Sequence, residues 1–315
     1  MAPRSQYGVP PTSVVAEAVP VPAPRPPRER EWVTLLRRLV RRRTALFGAA
    51  VVVAVMLAAA FAPLVSPFDP LEQDIGQRLK EPGWQDAQGR VHALGTDHLG
   101  RDILSRIVFG SRIALVVGLA AVVISGVLGM VIGLVAGYFG GRVDDILMRL
   151  ADIQLAFPFI LLAIAVIGVL GPSLRNIIIV IGVSSWVVYA RVVRGEVLSL
   201  KERDFVRLAI VAGCSKRTIM RRHILPNVLN SAIVLGTLML GVVVVTEAAL
   251  SFLGVGVPPP KPAWGLMLAD GKKGLMAGYW WLTVLPGCCI MLMVLSANLL
   301  GDWLRVKFDP QLRQL

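Results

Sequence analysis

The chain of 315 residues is short of charge: Asp, Glu, Lys and Arg together make up 17 % of it, against about 25 % in a typical soluble domain. The deficit is not spread evenly. Uncharged windows run Thr44–Phe68, Ile113–Gly141, Ile153–Leu174, Asn176–Ala190, Ile224–Thr246 and Gly274–Gly301. Crossing the hydrocarbon of a bilayer takes about 20 apolar residues in a helix, because only internal hydrogen bonds satisfy the backbone there. Five windows reach that length. The fourth is shorter, and crosses if Arg175 and Arg191 extend toward the two interfaces. The fold class that follows is an all-α integral membrane protein with about six transmembrane helices.

Cysteine is scarce as well. Cys214, Cys288 and Cys289 give neither a disulfide framework nor a metal-ligand spacing. No Ser-His-Asp set and no paired carboxylates in a soluble cleft are evident, so no catalytic residue is assigned. The nearest approach to a P-loop is GLMLADGKK, Gly265–Lys273. It puts five residues between its glycines where a P-loop has four, and Lys273 stands where Ser or Thr is required. The chain is therefore not expected to hydrolyse ATP. A second copy of a three-helix unit is also missing, which argues against the inverted repeats of many secondary transporters. A trustworthy A-x-A-like site after the first apolar run is lacking too, which argues against a cleaved signal peptide.

What is abundant is positive charge, +13 in net terms. Its placement argues against a nucleic-acid partner. Arg37, Arg38, Arg41, Arg42 and Arg43 precede the first span, and nine Lys or Arg residues from Arg191 to Arg222 lie between the fourth and fifth. The loop Ser66–Arg112 instead mixes seven acids with six bases. Basic residues gather on the cytoplasmic side of membrane proteins. With six spans, that rule puts both termini and the loop Gly195–Asn227 inside, and Ser66–Arg112 and Gly254–Gly278 outside. Anionic lipid would attract the basic clusters.

Along the chain, residues 1–31 (rich in Pro, Val and Ala) read as a disordered cytoplasmic tail. Residues 32–112 hold the first span and the outer loop, 113–305 the membrane core with the basic loop 195–227, and 306–315 a cytoplasmic C-terminal tail. The second span, Ile113–Tyr138, carries Ser125, Gly129, Gly133 and Gly137 at four-residue intervals, a groove where another helix can approach closely. The third, Ile153–Leu170, contains Pro158 and should kink there. The fourth runs roughly Ile177–Val193, the fifth Ile233–Phe252 and the sixth Trp281–Trp303. Glu247, at the outer end of the fifth span, is a candidate for the substrate path, or else caps the following loop. His92, Asp97, His98 and Asp102 read as loop structure in preference to a metal site.

The most informative stretch is Asp204–Asn227, DFVRLAIVAGCSKRTIMRRHILPN. Phe205, Leu208, Ala209 and Ala212 form an apolar stripe on a short helix. Gly213 permits the left-handed turn that ends it. Ser215 can cap a second short helix to about Leu225, closed by Pro226. The product is a helix–Gly–helix elbow suited to docking in a groove of another protein.

Gly213, Leu225 and Pro226 resemble the conserved loop of bacterial ATP-binding-cassette importer permeases, with Arg207-Leu208-Ala209 standing where that family has Glu-Ala-Ala, and His223 where it has Ile. Three further stretches, LGTDHLGRDILSRIVFGSR (Leu94–Arg112), ALSFLGVGVPPPKPAWGLMLADG (Ala249–Gly271) and LGDWLRVKFDPQLR (Leu300–Arg313), are similar to the C-type permease of the dipeptide/oligopeptide/nickel importers. The resemblance implies a type I importer permease in a bacterial cytoplasmic membrane. It implies partners too: a B-type permease, two ATPase domains that carry ATP and Mg, an extracytoplasmic binding protein, and a peptide substrate, with nickel or another small solute as the alternative. A secondary transporter and a scaffold without a substrate path are the rivals from other classes. Site residues implied for the coupling loop are Arg207, Ala209, Gly213, Ser215, Leu225 and Pro226.

Overall fold

A computed structural model describes residues 42–308. The tail 1–31, the basic residues Arg37, Arg38 and Arg41, and the chain after 308 lie outside the described residues. Among the described residues twelve α-helices follow one another: α1 Arg43–Ala60, α2 Ala62–Val65, α3 Ile103–Phe139, α4 Gly141–Ala156, α5 Phe159–Leu170, α6 Leu174–Ser184, α7 Trp186–Lys201, α8 Asp204–Val211, α9 Lys216–Thr218, α10 Leu225–Phe252, α11 Trp264–Leu275 and α12 Trp281–Phe308. A π-helical turn, Ile219–Ile224, joins α9 to α10. Strands β1 Trp84–Gln85 and β2 Val91–His92 form a small antiparallel hairpin.

Among the described residues five helical stretches are long and apolar enough to cross a membrane: 43–60, 103–139, 174–201, 216–252 and 281–307. A sixth crossing exists if α4 and α5 count as one. Only 17 % of the α1 window is buried inside the protein. Val116, Leu119, Val123, Val127 and Val131 of α3 likewise face outward. An apolar perimeter of this extent suits hydrocarbon or another membrane subunit, and would be an aggregation hazard in water.

Several boundaries differ from expectation. The second span was expected from Ile113, but α3 begins ten residues earlier, at Ile103. Its N-cap is Asp102, whose Oδ2 accepts the Ser105 N–H at 2.7 Å and satisfies one of the orphan donors of the first turn. At about 1.5 Å per residue the 37 residues of α3 span about 55 Å, so the helix projects well beyond the hydrocarbon.

The third span is a correction. Pro158 does not kink one helix; α4 and α5 meet at 85°. Proline lacks the N–H that would continue the ladder, and it drives the residue before it into extended backbone. Phe157 adopts φ −93° and ψ 128°. α5 alone has 12 residues, about 18 Å of helix, short of a full crossing.

The fourth span is longer than the charge count implied. α6 and α7 follow each other through Ser185 and run together from 174 to 201. Arg191 and Arg194 do not end this helix, and each pairs with a carboxylate of α4: Arg191 Nη2 lies 2.6 Å from Asp152 and Arg194 Nε 2.5 Å from Asp144. Gln154 ties the same two elements. Its amide donates to the Ser184 carbonyl and its oxygen accepts from the Trp186 indole.

The closest packing is between α3 and α7. A Cβ on Gly129 would stand 2.4 Å from the Trp186 carbonyl oxygen, one on Gly133 2.5 Å from that of Ala190, and one on Gly137 2.8 Å from the Val197 Cβ. Ser125, fully buried, turns its hydroxyl to the Val122 carbonyl. The groove is thus filled by the chain's own α7.

Candidate coupling elbow

The elbow is built at the end of the molecule where α3 and α7 finish. α8 starts with Asp204, an acid in the first turn where the helix dipole favours it. It stops through a Schellman arrangement. The Cys214 N–H reaches back to the Ala209 carbonyl and that of Gly213 to Ile210, while Gly213 takes φ +76°, a conformation open to glycine at little cost. A Cβ on Gly213 would meet no atom within 4 Å, so the constraint at this position is conformational and involves no clash.

After the turn the structure departs from two separate short helices. Ser215 Oγ accepts the Thr218 N–H at 3.3 Å. The chain then continues through α9, the π turn and α10 as one rod from Lys216 to Phe252. Pro226 does not close a helix; it lies in the first turn of α10. The wider π spacing accommodates it: the Leu225 N–H bonds Met220 O, five residues back, and the Asn227 side chain donates to the His223 carbonyl at 2.7 Å. π turns of this sort often mark functional positions.

Of the apolar stripe, Phe205, Leu208 and Ala212 are exposed, and Ala209 alone is buried. Val206 and Ala209 point inward and join Val193, Val197, Ile219, Ile224 and Val228 in a buried cluster. Phe205, Leu208, Ile210 and Val211 are exposed, Leu208 at 67 % and Val211 at 85 %, and Ala212 is exposed beside them. The helix is apolar on both sides, so the i, i+3, i+4 pattern alone could not tell the packed face from the free one. Arg207 is exposed and pairs with Glu202. Arg203, Lys216, Arg217, Arg221 and Arg222 are all exposed. Leu225 is half-buried and Pro226 exposed. Such a surface is apolar contact area rimmed by cations.

The sequence counts Lys201 and Lys216 only as members of the basic run between the fourth and fifth spans. Lys201 Nζ donates to the Tyr138 carbonyl at 2.8 Å, and Lys216 Nζ lies 5.9 Å from the centre of the Phe139 ring. Neither pairing leaves a mark in the sequence, because both partners are far away along the chain.

The other candidate residues lie at the opposite end. Glu247 is buried, at 2 % exposure. Its Oε1 accepts the Ser251 hydroxyl at 2.7 Å, and Ser251 Oγ accepts the Val257 N–H, a chain that pins the turn after α10. His92 and Asp102 are 2.9 Å apart, and Asp97 pairs with Arg101 at 2.6 Å; His98 is exposed. These four do not converge, and among the described residues no group of three His, Cys, Asp or Glu side chains could hold a metal. The segment Gly265–Lys273 is helix within α11, its backbone engaged in the helix ladder and offering no phosphate cradle.

Two family descriptions match this chain. Residues 129–314 match the binding-protein-dependent transport system inner membrane component, and residues 31–82 match the N-terminal transmembrane domain of oligopeptide transport permease C. The di/tripeptide transport system permease protein DppC of Pseudomonas aeruginosa is 42 % identical over 85 % of this chain and 88 % of its own length. The dipeptide transport system permease protein DppC of Alkalihalophilus pseudofirmus is 40 % identical over 93 % of this chain and 96 % of its own. The glutathione transport system permease protein GsiD of Pectobacterium atrosepticum is 38 % identical over 90 % and 92 %. The fold and these matches define a multi-pass inner-membrane permease of the ATP-binding-cassette class. The chain belongs to the binding-protein-dependent transport system inner membrane component family, in its dipeptide/oligopeptide permease C branch. Such a subunit has no ATPase site of its own, and partner subunits hydrolyse the ATP.

Proposed function

We propose that this chain is the C-type permease of an importer of short peptides, and that it works by alternating access. Its partners are a homologous B-type permease, two ATPase domains binding ATP and Mg, and an extracytoplasmic binding protein that delivers the peptide. The relatives described above are named for di/tripeptide, dipeptide or glutathione transport, which favours peptide over nickel. The elbow carries the reading. Phe205, Leu208, Ile210 and Val211 form an exposed apolar face on a helix too short to stand alone, and the turn behind it runs unbroken into α10. An ATPase domain covering that face would move α10 when it closes on nucleotide. Arg207, Ala209, Gly213, Ser215, Leu225 and Pro226 shape the elbow: Ala209 seats α8, Gly213 turns the chain, Ser215 starts the next helix and Pro226 opens α10. In this reading the loop 195–227 and both termini are cytoplasmic, and the hairpin and α11 face outward.

The test is reconstitution with the partner subunits in liposomes. Peptide uptake should require ATP and the binding protein, and the isolated chain should hydrolyse no ATP. A cysteine at position 217 should resist an impermeant maleimide in intact cells and react after permeabilisation. Labelling before permeabilisation would invert the topology and remove the docking role.

A further inference from the structure

The end of α3 is held from both sides of the elbow. A helix leaves its last carbonyls without intrahelical donors. The Gly140 N–H serves Ala136, and the chain then turns sharply through Gly140 and Gly141, at φ 65° and 52°. Lys201, in the last turn of α7, supplies donors for the next two: its Nζ lies 2.8 Å from the Tyr138 oxygen and 3.4 Å from that of Gly137. It also lies 5.7 Å from the centre of the Tyr138 ring. A cation there meets the negative end of the helix dipole. Glu202, next in sequence, is engaged with Arg207. Lys201 sits one turn past Val197, the residue on which Gly137 rests, so it terminates the α3–α7 seam. Lys216, on the far side of α8, lies against the ring of Phe139.

From this geometry we propose that Lys201 is a positioning residue for coupling, fixing the C-terminus of α3 to the root of the elbow. The inference rests on the elbow receiving the ATPase. With Lys201 in place, α3 and α7 are one arm up to residue 201, and the rod 216–252 is the other. Displacement of α8 then acts between two stiff bodies and passes into α10. Without the ammonium, the end of α7 gains slack against α3, and part of the stroke is absorbed there.

The experiment uses the full complex in liposomes with radiolabelled dialanine as the probe. It compares Lys201→Met, which keeps the stem, with Lys201→Arg, which keeps the charge and the donors. Lys201→Met should assemble and hold its ATPase normally and hydrolyse ATP within about twofold of the unaltered complex, yet move about tenfold less dialanine per ATP, the scale of a lost charge-assisted hydrogen bond. Lys201→Arg should restore more than half of that ratio. A full transport-to-ATP ratio in Lys201→Met would overturn the proposal. So would loss of membrane abundance in both variants, which marks a purely structural lysine. Leu208→Glu, on the free face of α8, separates the underlying reading: it should release the ATPase, and retention would overturn the docking role and the proposal with it. If Leu208→Glu dissociates and Lys201→Met keeps its ratio, the proposal alone fails.

Discussion

The two ends of the bundle solve opposite problems. At the hairpin end a cluster of charges is inside, while Glu72, Asp74, Arg78 and Arg90 stay exposed. Asp97 and Arg101 are both nearly buried at 2.6 Å, Arg106 is fully buried with its Nε 3.6 Å from Asp97, and Asp102 is shared between His92 and the start of α3. The rings of Phe68 and Trp84 stack on His92. The Trp264 and Trp281 indoles donate to the Ile107 and Thr96 carbonyls, tying α11 and α12 to α3 and the loop. At the elbow end the charges are outside, and apolar side chains are exposed beside them. One end pairs most of its buried charges with its own atoms, though Arg106 Nε and Nη2 and His92 Nε2 keep no hydrogen-bond partner. The other leaves contact area free for something else to cover.

That contrast can be broken most forcefully at Asp97. Its carboxylate accepts the Leu99 and Arg101 N–H groups as well as the Arg101 side chain. Asp97→Ala leaves Arg101 only the 3.4 Å contact to Asp270 and deprives Arg106 of its nearest carboxylate. Removing one partner of a buried pair costs about 3–5 kcal/mol, so the variant should be scarce in membranes and melt early in detergent. An unchanged melting curve would show that water already screens this end.

Next comes the α3–α7 seam, the rigid part that both ends share. The Gly133→Ala methyl would lie 2.5 Å from the Ala190 backbone oxygen. Backbone cannot rotate away as a side chain can, and overpacking of this kind costs about 1–3 kcal/mol. Thermal unfolding should fall accordingly. Gly195→Ala, which meets no atom within 4 Å, should be neutral or stabilising by the helix-propensity difference.

A smaller effect on stability is expected at Gly213. Gly213→Val strains a left-handed residue by about 1–2 kcal/mol without a clash, so the chain should still insert while hydrolysis and transport separate. Lys216→Ala is an imperfect control, since it also removes the contact with Phe139; that exposed cation–π contact is worth about 0.5–1 kcal/mol. Arg217→Ala serves better. Coupled transport by the Val variant at full rate would reduce the turn to a connector.

The mildest test is of pH at the hairpin. Burial alone would raise the Asp86 carboxyl, but hydrogen bonds from the Arg90 backbone and side chain outweigh it and hold the group below its ordinary 3.8. A lowered folded value stabilises above the unfolded one and loses that stability as pH falls through the folded one. Amide exchange at Gln88 and Arg90, which both donate to Asp86, should therefore quicken, after correction for intrinsic rates, only below about pH 4. Constant protection to lower pH would mean the turn holds without the carboxylate.

The sequence by itself determined the membrane fold class and the run of apolar spans, because more than about 20 uncharged residues have few other fates in lipid. It also determined the position of the Gly213 turn, since glycine alone takes that backbone cheaply, and the motifs that carry the family. Tertiary structure decided everything that depends on who stands opposite. Periodicity could not choose between the two apolar faces of α8; packing against Val193 and Val197 did. The sequence ended the fourth span near Val193, whereas the helix runs on to Lys201, with Arg191 and Arg194 paired to carboxylates of α4. A proline predicts a disturbance but not its angle, and at Pro158 the chain turned by 85°. Small residues at four-residue spacing predict a close neighbour without naming it, and here the neighbour is α7 of the same chain. Local chemistry along a chain fixes where backbone can and cannot go, whereas pairing energies exist only once distant residues have met.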